Sequence, residues 1–188
     1  GDFAFGNSTI GTIYGGNGIR SLGDYAFYNC DNFIAVNLFP AVISVGDYCF
    51  YDCSSLVSMN LNNVITSIGD SVFGNCSNLA LIKIPASVKS VGDNAFSRCT
   101  SLTTVTFQNG IESIGNYAFN FTALTEVTIP ASVTSIGNNA FSNTKALETV
   151  TFAERSTNLT IGNNAFSLSS TDAQGDFEVN FCSTNITT

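Results

Sequence analysis

The sequence predicts a solenoid of stacked parallel strands, and three observations carry that prediction. The motif Gly-Asp/Asn-x-small-Phe occurs eight times, starting at Gly1, Gly23, Gly46, Gly69, Gly92, Gly115, Gly137 and Gly162. The steps between those glycines are 22, 23, 23, 23, 23, 22 and 25 residues. Between successive motifs an apolar-polar-apolar triplet returns at the same phase, from Val36-Asn37-Leu38 to Val150-Thr151-Phe152. A unit so short has one apolar face and nothing to bury it against except the next unit, so the units must stack.

The triplets come first. Val36-Asn37-Leu38, Met59-Asn60-Leu61, Ile82-Lys83-Ile84, Val105-Thr106-Phe107, Val127-Thr128-Ile129 and Val150-Thr151-Phe152 alternate with the period of a strand that has one buried face. Three positions ahead of each stands Phe33, Leu56, Leu79, Leu102, Leu124 or Leu147, giving a unit consensus Leu-x-x-Val-x-Ile. The residues before the glycines, Leu22, Val45, Ile68, Val91, Ile114, Ile136 and Ile161, flank the same core. The motif phenylalanines, Phe27, Phe50, Phe73, Phe96, Phe119, Phe141 and Phe166, are expected to stack as an aromatic spine.

Glycine is expected to supply a turn with φ > 0, and the Asp or Asn after it to cap a single helical turn. That gives Asp24, Asp47, Asp70, Asp93, Asn116, Asn138 and Asn163 a local structural duty. The change from Asp to Asn in later units also limits like-charge crowding down a column whose members lie about 5 Å apart. Two units are irregular. The one after Phe119 is a residue short, and the one after Phe152 carries extra residues from Ala153 to Leu159; both changes are assigned to turns. One domain is expected over 1–188, with repeats to 166 and an irregular end over 167–188 in which only Glu178-Val179-Asn180-Phe181 reads as a further strand. With no initiator Met and residue 1 already inside a unit, the chain reads as a processed or excised piece of a longer protein.

Composition bounds the function. The 188 residues are 44% apolar, enough for a substantial core, and the net charge of -8 points away from nucleic acid or an anionic membrane as partner. The richest apolar run, Phe33 to Val45, is broken by Asn37, Pro40 and Ser44, well short of the roughly 18 residues that cross a bilayer. The chain has no histidine, so no Ser-His or Cys-His pair exists and no imidazole ligand, and the acids follow the repeat instead of converging. No enzyme activity, cofactor or metal is expected.

Cys30, Cys53, Cys76 and Cys99 form one column, each three residues after its Phe. Parallel side chains in a stack suit the disulfide dihedral poorly, and a line of four thiols makes no tetrahedral zinc site. They are expected to be buried free thiols, as is Cys49 in a small-residue position, while Cys182 is expected to be exposed. Gly15-Gly16-Asn17-Gly18 lacks the lysine of a phosphate loop and reads as a turn. The Asp column offers oxygen ligands for calcium, but capping accounts for it more simply. Sequons stand at Asn7, Asn75, Asn120, Asn158 and Asn185.

Ile82-Lys83-Ile84-Pro85 leading to Ser90-Val91-Gly92-Asp93-Asn94-Ala95-Phe96, and then Cys99, resembles the BspA-like leucine-rich repeat family, as does Val127-Thr128-Ile129-Pro130 leading to Ser135-Ile136-Gly137. The resemblance covers nearly the whole chain. It departs where Thr122, Thr144 and Ser169 replace the column cysteine. It implies a leucine-rich-repeat solenoid, here a right-handed curved coil of about eight repeats, with a parallel sheet on the concave face and short helical turns elsewhere. It also implies secretion or surface display, with adhesion to host proteins or other cells.

The outward strand positions then form the recognition surface: Thr12 and Tyr14, Ala35 and Asn37, Ser58 and Asn60, Leu81 and Lys83, Thr104 and Thr106, Glu126 and Thr128, Thr149 and Thr151. Tyr14, Asn37, Asn60, Leu81, Lys83, Thr104, Thr106, Glu126 and Thr128 are the candidate ligand-binding residues, with Tyr14, Leu81 and Lys83 the protruding groups. The expected partner is a protein or glycan, such as a host extracellular-matrix or plasma protein. Two alternatives are a structural spacer that presents another domain and an ice-binding surface built on Thr104, Thr106, Thr149 and Thr151.

Overall fold

In the computed structural model, residues 1–167 and 178–181 are described. They hold fourteen short strands, numbered in chain order: β1 (Ser21–Leu22), β2 (Ala35–Asn37), β3 (Ser44–Val45), β4 (Ser58–Asn60), β5 (Ser67–Ile68), β6 (Leu81–Ile84), β7 (Ser90–Val91), β8 (Thr104–Phe107), β9 (Ser113–Ile114), β10 (Glu126–Ile129), β11 (Ser135–Ile136), β12 (Thr149–Phe152), β13 (Thr160–Ile161) and β14 (Glu178–Phe181). The even-numbered strands are the predicted triplets. β14, read from sequence as a further strand, pairs with β12.

Every pairing is parallel and joins equivalent residues of successive turns of the coil, as in Asn37 with Asn60, Lys83 with Thr106 and Thr128 with Thr151. The result is a parallel-sheet solenoid. The even strands form β2-β4-β6-β8 and, separately, β10-β12-β14. The break falls where the chain is one residue short, between Phe119 and Leu124, so that Ala123 N donates to Leu102 O while later units resume with Glu148 N to Thr125 O. The two-residue strands form a second set, β1-β3 and β5-β7-β9-β11-β13. This second sheet was not expected from the sequence.

The core lies between the two sets. Phe33, Leu56, Leu79, Leu102, Leu124 and Leu147 are all buried, as are the residues before the glycines except Ile161, which is 44% exposed beside the end of the array. The spine is continuous: Phe5, Phe27, Phe50, Phe73, Phe96, Phe119, Phe141 and Phe166 stack with centroids 5.1 to 5.7 Å apart. Each such offset pair adds about 0.5–1.5 kcal/mol beyond the area it buries.

Two local expectations are corrected. No helix occurs among the described residues; the segment after each glycine is a run of turns. And the motif glycines do not carry the positive φ. That falls on the residue two positions later, such as Tyr25 (54°), Tyr48 (56°) and Asn94 (56°), and again four positions on, as at Asn29 (52°) and Arg98 (62°). The glycines are needed for space instead: a Cβ on Gly92 would lie 2.5 Å from Asp70 Oδ1 and 2.6 Å from the carbonyl carbon of Gly69.

Candidate functional site

The side chains that alternate away from the core along the even strands form one exposed face. Asn37, Asn60, Leu81, Lys83, Thr104, Thr106, Glu126 and Thr128 are all exposed there, while their neighbours Val36, Met59, Ile82, Val105 and Val127 are buried. Parallel register lays them in two rows across the strands. One runs Ala35, Ser58, Leu81 and Thr104, and resumes after the break with Glu126 and Thr149. The other holds Asn37 and Asn60, then Lys83 and Thr106, then Thr128 and Thr151. Asn60 Nδ2 donates to Asn37 Oδ1 at 3.2 Å, so the second row opens with a directed amide pair. Leu81 is 56% exposed, and Lys83 has no protein partner among the described residues.

Tyr14 differs from the rest. It is 92% exposed, but neither it nor Thr12 lies in a strand, so the expected first pair of the strand face is a loop. Thr149 and Thr151 are only half-exposed.

The turn side explains the repeated polar residues. Asp24 N donates to Asp2 Oδ1 at 3.0 Å, Asp70 N to Asp47 Oδ1 at 2.8 Å, Asn116 N to Asp93 Oδ1 at 2.7 Å and Asn138 N to Asn116 Oδ1 at 2.8 Å. The side chain thus serves the main chain of the following unit and does not cap its own. Asn supplies the same carbonyl-type oxygen as Asp, which is why the two interchange. Among the described residues no group of three or more His, Cys, Asp or Glu is placed to hold a metal ion.

The cysteine column is a second ladder. Cys30, Cys53, Cys76 and Cys99 each donate Sγ-H at 3.1 Å to the carbonyl oxygen of the Phe one unit earlier: Phe5, Phe27, Phe50 and Phe73. All are buried and free of disulfides, as is Cys49. Burial pushes the Cys49 and Cys53 thiols up to about 12. Cys182 and Ser169 lie outside the described residues.

The sequons separate by position. Asn120 is buried and donates Nδ2 to Ser142 Oγ at 2.6 Å, and Asn75 Nδ2 donates to Asp52 Oδ1, so both amides are engaged in the fold. Asn7 and Asn158 are exposed, and Asn185 lies outside the described residues. The longer unit after Phe152 folds back on the coil: Arg155 lies 5.5 Å over the Phe152 ring and donates to Val133 O at 3.1 Å.

The unit that carries these ladders matches a known repeat. The BspA type leucine rich repeat region matches in six copies over residues 1–119 and 66–175, against about eight units expected from the glycine motif. The chain belongs to the BspA-type leucine-rich-repeat family. Among solved structures it is similar to a leucine rich cell surface protein of Faecalibacterium prausnitzii, with 39% identity and a TM-score of 0.68 over 73% of this chain and 37% of that one. The chain therefore spans little more than a third of that relative. The T. pallidum leucine rich repeat protein matches at 25% identity and a TM-score of 0.72, over 82% of this chain and 73% of that one. A leucine-rich repeat protein of Bacteroides ovatus shares the fold at 22% identity, with a TM-score of 0.64 over 89% of this chain and 62% of that one. No curated protein matches the chain in sequence. No helix among the described residues is long and apolar enough to cross a membrane.

One departure from the BspA-type pattern keeps the ladder, while Thr122 Oγ1 donates instead to Phe119 O of its own unit at 2.9 Å. Thr144, in the cysteine column, donates Oγ1 to Phe119 O at 3.3 Å, the bond its cysteine counterparts make. A hydroxyl replaces a thiol without changing the donor.

Proposed function

We propose that the chain is a non-catalytic recognition module, displayed at the cell surface or secreted, that binds a protein or glycan through the outward face of the even strands. The observation that carries this reading is where the units differ. The spine, the Asp ladder and the Cys ladder repeat because stacking requires them, whereas the strand-face rows change from Asn to Lys to Thr, and from Ala to Leu to Glu, and only the Asn37-Asn60 pair there is tied by a side-chain hydrogen bond among the described residues. A rigid backbone with freely varied, exposed side chains is what a solenoid offers a ligand. Family membership and the cell-surface description of the F. prausnitzii relative support the location.

A solid-phase screen of the folded chain against extracellular-matrix proteins, plasma proteins and glycans tests the proposal. A ligand should be found, and its binding should fall when Leu81, Lys83 and Glu126 are all changed to Thr, the residue that occupies the same rows at Thr104, Thr106 and Thr128. A folded sample that binds nothing in the screen counts against it. Binding that the triple variant leaves intact moves the site off this face.

A further inference from the structure

A second surface lies on the turn side, away from the strand-face rows. The residues two positions after the first three glycines, Phe3, Tyr25 and Tyr48, stack at 4.5 and 4.8 Å with their rings within 4° of parallel. Beside them, Tyr28 stacks on Tyr51 at 5.7 Å, and the two columns meet at an angle, 61° between Tyr25 and Tyr28 and 54° between Tyr48 and Tyr51. Phe3 is 55% exposed and the four tyrosines are half-buried. The strip stops at the next unit, where the same positions are Ser71 and Gly74; a Cβ on Gly74 would lie 2.8 Å from the Tyr51 ring, which covers that backbone. Four of the chain's six tyrosines stand in this one patch.

Carboxylates adjoin both columns in sequence. Asp2, Asp24 and Asp47 directly precede the first column, Asp52 follows Tyr51, and Asp31 lies one residue past Cys30. Before Lys83 the chain holds six aspartates and a single base, Arg20. Asp2, Asp24 and Asp47 spend Oδ1 on the next unit's N-H, and among the described residues their second oxygens have no protein partner. Burial, and after it the neighbouring Asp52 carboxylate, pushes the Tyr51 hydroxyl up.

We propose that this strip docks a basic, extended segment of a protein partner. Within the columns the ring faces are covered by their neighbours, so the patch presents ring edges and hydroxyls. The aliphatic stems of Lys or Arg cover those edges, while their heads reach the free aspartate oxygens on either flank. Tyrosine is also a residue that concentrates binding energy at protein interfaces. This surface and the strand face are separate, so either can be right without the other.

The test uses substitutions that the molecule already tolerates. Asn stands in the first column at Asn94 (φ 56°) and Asn139 (φ 54°), Ser in the second at Ser97 and Ser142, and Asn in the ladder at Asn116 and Asn138. The probe is a fluorescent peptide of alternating lysine and proline, with a glutamine-for-lysine peptide as control. The lysine peptide should bind the whole chain, weaken with added salt, and lose affinity by about tenfold or more both in Y25N/Y48N/Y51S and in D24N/D47N. E154Q, which removes one exposed carboxylate outside both surfaces, should leave binding unchanged. No binding of the lysine peptide, equal binding of the glutamine peptide, or a tyrosine variant that binds like the original chain each overturns the proposal.

Discussion

Thr144 Oγ1 donates to the carbonyl oxygen of Phe119 at 3.3 Å, as Cys99 Sγ does to that of Phe73 at 3.1 Å. The column expected from sequence to hold buried free thiols is a row of donors. Thr144 also lies 3.3 Å from Thr122 Oγ1, so two hydroxyls share one buried site. T144C should therefore cost less stability than T144V, which keeps the shape and loses the bond by about 0.5–1.5 kcal/mol. Urea denaturation of the two variants decides it; equal stability of T144V and the original chain would remove the donor role.

The buried thiols carry a pH dependence. Burial raises Cys49 from 9.0 to about 12, so the folded state holds that proton more tightly than the unfolded state. Stability from this group is complete below pH 9 and is lost as pH rises toward 12, by about 1.4 kcal/mol per pH unit in between. Ala occupies the same column at Ala26 and Ala95. Denaturation midpoints from pH 8 to about pH 11 should fall less steeply in C49A than in the original chain. Parallel curves would mean that the thiol ionises without unfolding the coil.

Two neighbouring positions separate space from backbone conformation. G92A forces a Cβ to within 2.5 Å of Asp70 Oδ1 and should cost about 1–3 kcal/mol, while N94G, at φ 56°, should be nearly neutral. Thermal melts of both test the assignment. The reverse order would return the positive-φ role to the glycine.

The Asp ladder predicts a split between isosteres. D70N keeps the oxygen that receives Asp93 N at 2.8 Å, so its melting temperature should stay close to that of the original chain. D70A removes the acceptor and should lose about 0.5–1.5 kcal/mol. If the two variants melt together below the original chain, the charge matters and not the acceptor.

The coil, its strands and its core were legible in the sequence because each unit repeats the same burial pattern; Leu56, Phe73 and Ile82 were assigned inward and are inward. Outward exposure of Lys83 and Glu126 was equally legible from alternation alone. The second sheet was hidden because a two-residue strand such as β5 is too short to show a period. The left-handed turns were expected at glycine, although a signal existed: among the described residues, seven of the fifteen non-glycine residues with positive φ are asparagine, including Asn29, Asn75 and Asn143. The partners of Asp47 and Cys76 could not be read locally, since each bond reaches into another unit 23 or 26 residues away.

The two sheets are interrupted at different levels. The even strands break between β8 and β10, where the short strands β9 and β11 remain paired, and the short strands break between β3 and β5, where β2 and β4 remain paired. The seams are staggered like the vertical joints of a brick wall. At each level where one set of strands lacks its ladder the other keeps its parallel pairing, so no single plane interrupts both. The unit that is one residue short near Phe121 thus lies beside an unbroken pairing of β9 with β11.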